Sequence, residues 1–417
     1  MHETKIIYFV LRFVFGIVNK QMEEKMNIID YVYNNGNKTE CCGCTACMEV
    51  CPKDAITMKP DEKGYFYPAI DKELCIDCGL CGRTCGFVKE DQKTGSEKPL
   101  KAIGLKHKNK YVRQKSRSGG AFTVITDYVL ENGGCIFGVV LDNDNVVRHI
   151  LAEDSKTRDK MRGSKYVQSD MNHCFRKAKE QLDNGRLVAF SGTACQIDGL
   201  KSYLRKDYEN LITIDIVCHG VPSPKLWKDY LDYINKRYKR GITDFDFRDK
   251  SILGWDMHLE SFKVNKKKIV ARDYSRLFQK NLNLRESCFN CKYCSLNRVA
   301  DFTLADFWGV DAFRKGFNDN KGISLLFVNT QKAIQIYKNA GFDTEVELFE
   351  CENYNFSQPN LKAPTQKPEN YDQFWEDYTE KGFEHIVNHN VKNGFIDNLK
   401  FKKSLAIIYF KRKVLKK

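Results

Sequence analysis

Eight cysteines, spaced as two copies of one pattern, set the terms for the rest of this chain. Cys41, Cys44, Cys47 and Cys51 follow C-x2-C-x2-C-x3-C, with Pro52 behind them. Cys75, Cys78, Cys81 and Cys85 repeat the spacing, with Gly86 where the proline would stand. This is the spacing of paired 4Fe-4S clusters, in which the fourth cysteine of each run ligates the other cluster. It assigns Cys41, Cys44, Cys47 and Cys85 to one cluster, and Cys75, Cys78, Cys81 and Cys51 to the second. C-x2-C pairs also serve zinc. A third thiolate two residues on and a fourth three residues later suit a cubane better than a tetrahedral ion.

The chain holds 17 cysteines in 417 residues. Eleven of them, the eight above with Cys288, Cys291 and Cys294, fall at cluster spacing and must be free thiolates. That points to a reducing cytoplasm, since disulfide-rich secreted chains are usually short. A hydrophobic content of 42% describes a globular protein of two or three domains. The net charge of +14 is uneven, with eight basic and no acidic residues in 400–417. No nucleic-acid-binding motif accompanies it. The apolar centre of that tail, flanked by Lys and Arg, fits an anionic membrane surface or an acidic partner, and a solvated tail fits the composition equally well.

Residues 6–18 are apolar but for Arg12, too short to span a bilayer and without a cleavage signature. They suit an interfacial segment, or translation that begins at Met26. Residues 57–71 read as a hairpin turning at 61–64, and 89–99 as a linker. From there the pattern becomes α/β, with strands expected at 102–105, 135–141, 146–151, 187–190 and 211–217 and helices at 121–130, 171–183 and 224–238. Polar loops join them: Ser118-Gly119-Gly120, Ser164-Lys165-Tyr166, Gly192-Thr193 and Cys218-His219-Gly220. Ligands of such a sheet gather at the carboxyl ends of its strands, where helix N-termini favour phosphate. An N-cap with a tight turn is the plainer account of any one such loop.

Beyond 243, alternation predicts strands through 254–264, then a helix at 274–282. Cys288, Cys291 and Cys294 supply three thiolates for a third cluster, with Cys195 or Cys218 as the fourth; a zinc site completed by histidine is the alternative. Cys42, Cys174 and Cys351 read as plain buried thiols. A strand–helix–strand unit follows 301–309, and 371–383 reads as a helix.

The ordered motifs R-S-G-G-A-F-T, S-K-Y-V-Q-S, S-G-T-A-C-Q, C-H-G-V-P-S, C-x2-C-x2-C and A-D-F-T-L-A-D-F-W-G, behind the paired cysteine runs, resemble the beta subunit of coenzyme F-420 hydrogenase and dehydrogenase over roughly residues 37–350. The resemblance implies a small two-cluster ferredoxin-like domain (37–90) followed by a larger mixed α/β flavin-binding body (100–175 and 176–350), between an N-terminal apolar segment (1–36) and a C-terminal extension (351–417). It implies FAD held by Ser118, Gly119, Gly120, Ser164, Lys165, Tyr166, Gly192 and Thr193, and a third 4Fe-4S cluster on Cys288, Cys291 and Cys294. It also implies electrons exchanged with a redox partner protein or a hydride carrier such as a deazaflavin. Ala194 and Ala305 replace residues usual in the family's motifs. Two other functions fit the same build: a reductase of a biosynthetic intermediate, and an electron-transfer adaptor with no substrate. Lys165 is placed to stabilise a reduced flavin or to pair with an acid, and His219 to make a structural hydrogen bond.

Overall fold

The computed structural model describes residues 38–88, 97–239 and 241–391, with Lys403, Ala406 and Ile407. The apolar N-terminal segment, most of the linker and most of the basic tail lie outside the described residues. No helix among the described residues is long and apolar enough to cross a membrane.

The cysteine-rich unit is built on the hairpin β1 (Ile56–Pro60) and β2 (Phe66–Ile70), paired from Ile56↔Ile70 to Pro60↔Phe66. Asp61 closes its turn by accepting the Tyr65 N–H at 2.8 Å. Two short helices, Ala46–Glu49 and Leu80–Thr84, carry Cys47 and Cys81. Each begins after a left-handed residue, Thr45 (φ 70°) or Gly79 (φ 67°), so the two cysteine runs share a local fold as well as a spacing.

The body is a mixed α/β layer structure around eight strands in the order β13-β3-β12-β11-β7-β6-β4-β5. These are β3 (Lys101–His107), β4 (Cys135–Leu141), β5 (Val147–Ala152), β6 (Val188–Ser191), β7 (Leu211–Ile216), β11 (Phe302–Asp306), β12 (Ser324–Val328) and β13 (Val346–Glu350). The central strands β4, β6, β7 and β11 run parallel, and β5, β12, β3 and β13 are antiparallel additions at the flanks. Successive side chains point to opposite faces. Thus Ile136, Ile212 and Ile214 pack under α1 (Ala121–Glu131), while Phe137, Val188 and Phe190 pack with Phe175 of α2 (Cys174–Asp183) and Ile197 and Leu200 of α3 (Ala194–Leu204). The short α2 reflects Asn172 and His173, both left-handed, which postpone the start expected at 171.

A second sheet, β8 (Thr243–Asp246), β9 (Glu260–Val264) and β10 (Lys267–Ala271), shares an aromatic core with α4 (Pro224–Tyr238) and α5 (Tyr371–Asn390). Here sequence expectation needs correcting. The alternation across 254–259 is not strand: Gly254 turns at φ 93° and buries Trp255 beneath Asn320, which accepts the Trp255 N–H at 2.7 Å. The β9–β10 hairpin turns through Asn265 and Lys266, both at positive φ. That is the two-residue turn normally marked by Asn-Gly, and lysine in the second place hid it. Helix α5 outruns its expected end because the chain resumes helical geometry after one residue at positive φ, Gly382 (φ 79°).

Candidate functional site

The two cysteine runs cross over in space. Cys41, Cys44, Cys47 and Cys85 line one small cavity, and Cys51, Cys75, Cys78 and Cys81 line another. Burial, then the neighbouring Cys41, Cys85 and Cys81 thiols, push the Cys47 thiol up, as expected for sulfurs facing a common space. Among the described residues no three Cys, His, Asp or Glu side chains converge as the ligands of one ion would. Thiols ringed around a cavity fit a cubane; thiols meeting at a point would fit zinc.

The cavities differ in their surroundings. The second is lined by the cysteine-rich unit alone, and Cys78 is exposed beside Leu74 and Ile76. The first is walled partly by the body, through Cys195, Asp198, Gly199 and Tyr293. Gly199 on α3 lets the units close: a Cβ there would lie 2.8 Å from the Cys44 sulfur. Gly86 explains its own departure from the expected proline, since a Cβ at that position would collide with the Asp198 carboxylate.

Behind Asp198 lies a third group of thiols. Cys218 is pushed up by burial and then by Cys288, Cys195 and Cys291, so both candidate fourth ligands stand beside the 288–294 triplet. Cys288 accepts the Val221 N–H at 3.4 Å, tying the triplet to the loop after Cys218. A hydrogen bond from Cys294 lowers the Cys291 thiol. The two candidates face different ways: Cys195 lines the first cluster cavity, and Cys218 lines a much larger cavity in the body. Cys42, which reads as a plain thiol in sequence, hydrogen-bonds to both Cys195 and Cys44 and so links the first cluster cavity to the third group.

The large cavity opens where β6, β7 and β11 end. Ligand pockets commonly span roughly 300–1,000 Å3, and the space a ligand could fill here, about 470 Å3, falls within that range. It is lined by Ser118, Gly120, Ser164, Lys165, Tyr166, Gly192 and Thr193. Gly119 is not among its walls. Its N–H donates to Ser324 Oγ at 2.8 Å, and a Cβ would collide with the Leu105 carbonyl oxygen, so this glycine serves packing against the sheet. Thr193 and Gln196 form a capping box at the start of α3. Lys165 donates to the carbonyls of Lys160 and Arg162 at 2.8 and 3.1 Å, and burial holds its pKa down to about 7. His219 bonds Asn281 at 2.7 Å.

Charged residues not singled out in the sequence dominate the cavity floor. Asp306 accepts from Arg248 at 2.5 Å, from Trp255 Nε1 at 3.1 Å, and from the Ser118 hydroxyl. Burial opposes its ionisation, but the Arg248 charge and the hydrogen bonds outweigh that and hold the carboxyl below its ordinary range. Arg117 and Arg162 complete a basic lining, and Arg117 Nε is buried with no hydrogen-bond partner among the described residues. An orphaned buried donor in a basic cavity suits an anionic ligand such as a pyrophosphate.

His149 supports the wall from behind. It contacts the Ser191 carbonyl at 3.2 Å and the Ser169 hydroxyl at 3.0 Å, stacked on Phe190. Burial lowers its pKa to about 4. The unfolded chain, with an ordinary histidine near 6.5, binds the proton first as pH falls, so stability is lost between about pH 6.5 and pH 4. Stability measured by anaerobic denaturation should fall across that window by about 3 kcal/mol, and His149→Gln should flatten the profile.

Comparison with known proteins gives two regional matches. Residues 40–87 match the 4Fe-4S dicluster domain, and residues 185–353 match the family model for the C terminus of the coenzyme F420 hydrogenase/dehydrogenase beta subunit. The chain is 28% identical over 323 residues to the coenzyme F420-dependent sulfite reductase of Methanocaldococcus jannaschii, covering 75% of this chain and 48% of that protein. It is 24% identical over 183 residues to one of the subunits of the F(420)H(2) dehydrogenase of Methanosarcina mazei, covering 42% of this chain and 51% of that one. The chain thus spans about half the length of these curated relatives. A chain of the F420-reducing [NiFe] hydrogenase complex from Methanosarcina barkeri aligns with 72% of this chain and 94% of its own, at TM-score 0.42 and 14% identity.

Proposed function

Because the chain joins a 4Fe-4S dicluster domain to a region matching the C terminus of the coenzyme F420 hydrogenase/dehydrogenase beta subunit, we propose that it is an iron–sulfur flavoprotein oxidoreductase. It would move electrons between the cluster sites and a hydride carrier or substrate in the large cavity. The observation that carries this reading is the sequence of sites. The exposed cavity of Cys51, Cys75, Cys78 and Cys81 adjoins that of Cys41, Cys44, Cys47 and Cys85. The latter shares Cys195 with the third thiol group, and Cys218 of that group faces the large cavity. The residues of domain 37–90 would hold two clusters, and Cys288, Cys291 and Cys294 with Cys195 or Cys218 a third.

A flavin in the cavity supplies conversion of a hydride pair into single electrons. The protein's part is to bind and shield it: Arg117 offers an unspent donor to a phosphate, the helix starts after Gly120 and Thr193 offer backbone N–H groups, and Lys165 sits on the wall as a cation of reduced pKa. The partners are a redox protein and a hydride carrier. Anaerobic purification with iron, sulfide and flavin quantitation tests it: about twelve iron atoms and one FAD per chain are expected from three cubanes. Protein with its clusters but no flavin would leave the adaptor. Oxidation of reduced deazaflavin, followed by absorbance, then separates a coenzyme F420 enzyme from a reductase of another substrate.

A further inference from the structure

Arg285 is buried between the two halves of this relay. Its backbone N–H donates to Val221 O at 3.0 Å, and its carbonyl accepts the Cys288 N–H at 2.9 Å, fixing it to both loops of the third thiol group. Its side chain leaves the body for the cysteine-rich unit. Nε donates to Cys41 O at 2.6 Å, Nη2 to Phe66 O at 3.1 Å and Nη1 to Gln168 Oε1 at 3.2 Å, with the guanidinium 4.0 Å from the Tyr67 ring centre. Gln168 in turn donates to Cys42 O at 3.3 Å.

The residue has no exposed surface, and no carboxylate among the described residues pairs with it. The adjacent Glu286 is bound to Lys63 instead. Carbonyls and an amide satisfy the guanidinium's hydrogens but not its charge, and an uncompensated buried charge is strongly unfavourable. The side chains that favour its charge are, in order of effect, Cys41, Tyr67, Cys42 and Cys288, three of them sulfurs. A cubane with four thiolates carries net negative charge in both of its usual states, one unit more after taking up an electron.

We propose that Arg285 is the counter-charge of the relay, a positioning residue whose buried cation raises the reduction potential of the Cys41, Cys44, Cys47, Cys85 cluster and of the group at Cys288. This rests on the reading that those thiols hold clusters. The step concerned is uptake of one electron, from a chemical reductant through mediators, with no bond made or broken in the protein. Arg285 stabilises the more negative product at both ends of the gap, which keeps the two sites close in potential. The exposed cluster of Cys51, Cys75, Cys78 and Cys81, outside this group, serves as an internal reference.

The test is an EPR-monitored redox titration of the intact chain, after iron and sulfide analysis has shown the clusters to be present; their absence would overturn the cluster reading itself. Arg285→Gln should lower the equilibrium constant for reducing the first cluster by about tenfold, a negative shift of about 59 mV for one electron, with one cluster signal unmoved. Arg285→Lys, which keeps the charge but loses the fork, should stay near wild type. Equal shifts in both variants, or none in Arg285→Gln, would overturn the proposal. Should Arg285→Gln fail to fold, Gln168→Glu sets a carboxylate against Nη1 while leaving the bonds to Cys41 and Phe66. It should produce a shift of the same sign, and an unmoved potential there would overturn the proposal equally.

Discussion

Asp306→Ala is expected to destabilise the body by about 3–5 kcal/mol, the usual cost of removing one partner from a buried ion pair. Arg248 has 1% of its side chain exposed and Asp306 14%, so solvent cannot take over the lost role. The substitution leaves the Arg248 guanidinium with the Trp255 carbonyl at 2.8 Å, the Tyr166 side chain and the face of Trp308, none of them a carboxylate. It also releases Trp255 Nε1 and the Ser118 hydroxyl. Since Ser118 opens the loop that leads into α1, the cavity wall should loosen together with the core. Denaturant midpoints read the stability loss, with the slope unchanged if the native state stays compact. Flavin content of the purified variant reads the cavity. Asp306→Asn separates the two contributions: it keeps one acceptor and removes the charge. A midpoint near wild type for Asp306→Ala would mean that Arg117 and Arg248 are balanced by some other group.

How much of this could be read from residues alone follows from the range of the signals. Cysteine spacing is local and chemically unusual, and Cys41 to Cys51 and Cys75 to Cys85 are visible in sequence for that reason. Strands such as Cys135–Leu141 and the helix Pro224–Tyr238 fall at their expected bounds because apolar periodicity and the Ser223-Pro224 cap agree. The residues that went unread act over long separations. Arg248 follows an alternating D-F-D-F run and Asp306 lies inside the A-D-F-T-L-A-D-F-W-G motif, and neither stretch says that the body folds the two together. Arg285 precedes Cys288 by three residues, yet its meaning lies in carbonyls more than two hundred residues away. Cys42 was lost in the shadow of its neighbours, because a spacing rule has no use for a ninth thiol. The one hint in the sequence is the arginine in L-N-L-R-E-S-C, a charge between an apolar residue and the first cysteine of the 288–294 triplet.

The paired runs should also prove unequal when single thiolates are removed. Cys47→Ser and Cys78→Ser each take one ligand from one cluster site, and by spacing alone they are equivalent. Their surroundings are not. Cys47 is buried on the Ala46–Glu49 helix, where Glu49 accepts the Arg176 N–H of α2 at 3.0 Å and the Thr45 hydroxyl at 2.9 Å. Cys78 is exposed, and the cavity it lines is walled only by residues of its own unit. Small units with little apolar core depend on their metal centres for folding. Loss of the Cys47 site should therefore loosen the Ala46–Glu49 helix from α2 and α3, lower the melting temperature of the whole chain, and expose residues 38–88 to protease. Loss of the Cys78 site should cost iron and sulfide for one cluster but leave the melt of the body near wild type. Function should divide differently. With a flavin in the large cavity, as proposed, both variants should lose its reduction by a one-electron protein donor, while its reduction by a hydride donor should survive in Cys78→Ser. Stopped-flow absorbance under both donors, beside anaerobic melts, checks each part. Equal melting temperatures for the two variants would mean that the units are held together by Arg285 and the hairpin contacts rather than by the first cluster.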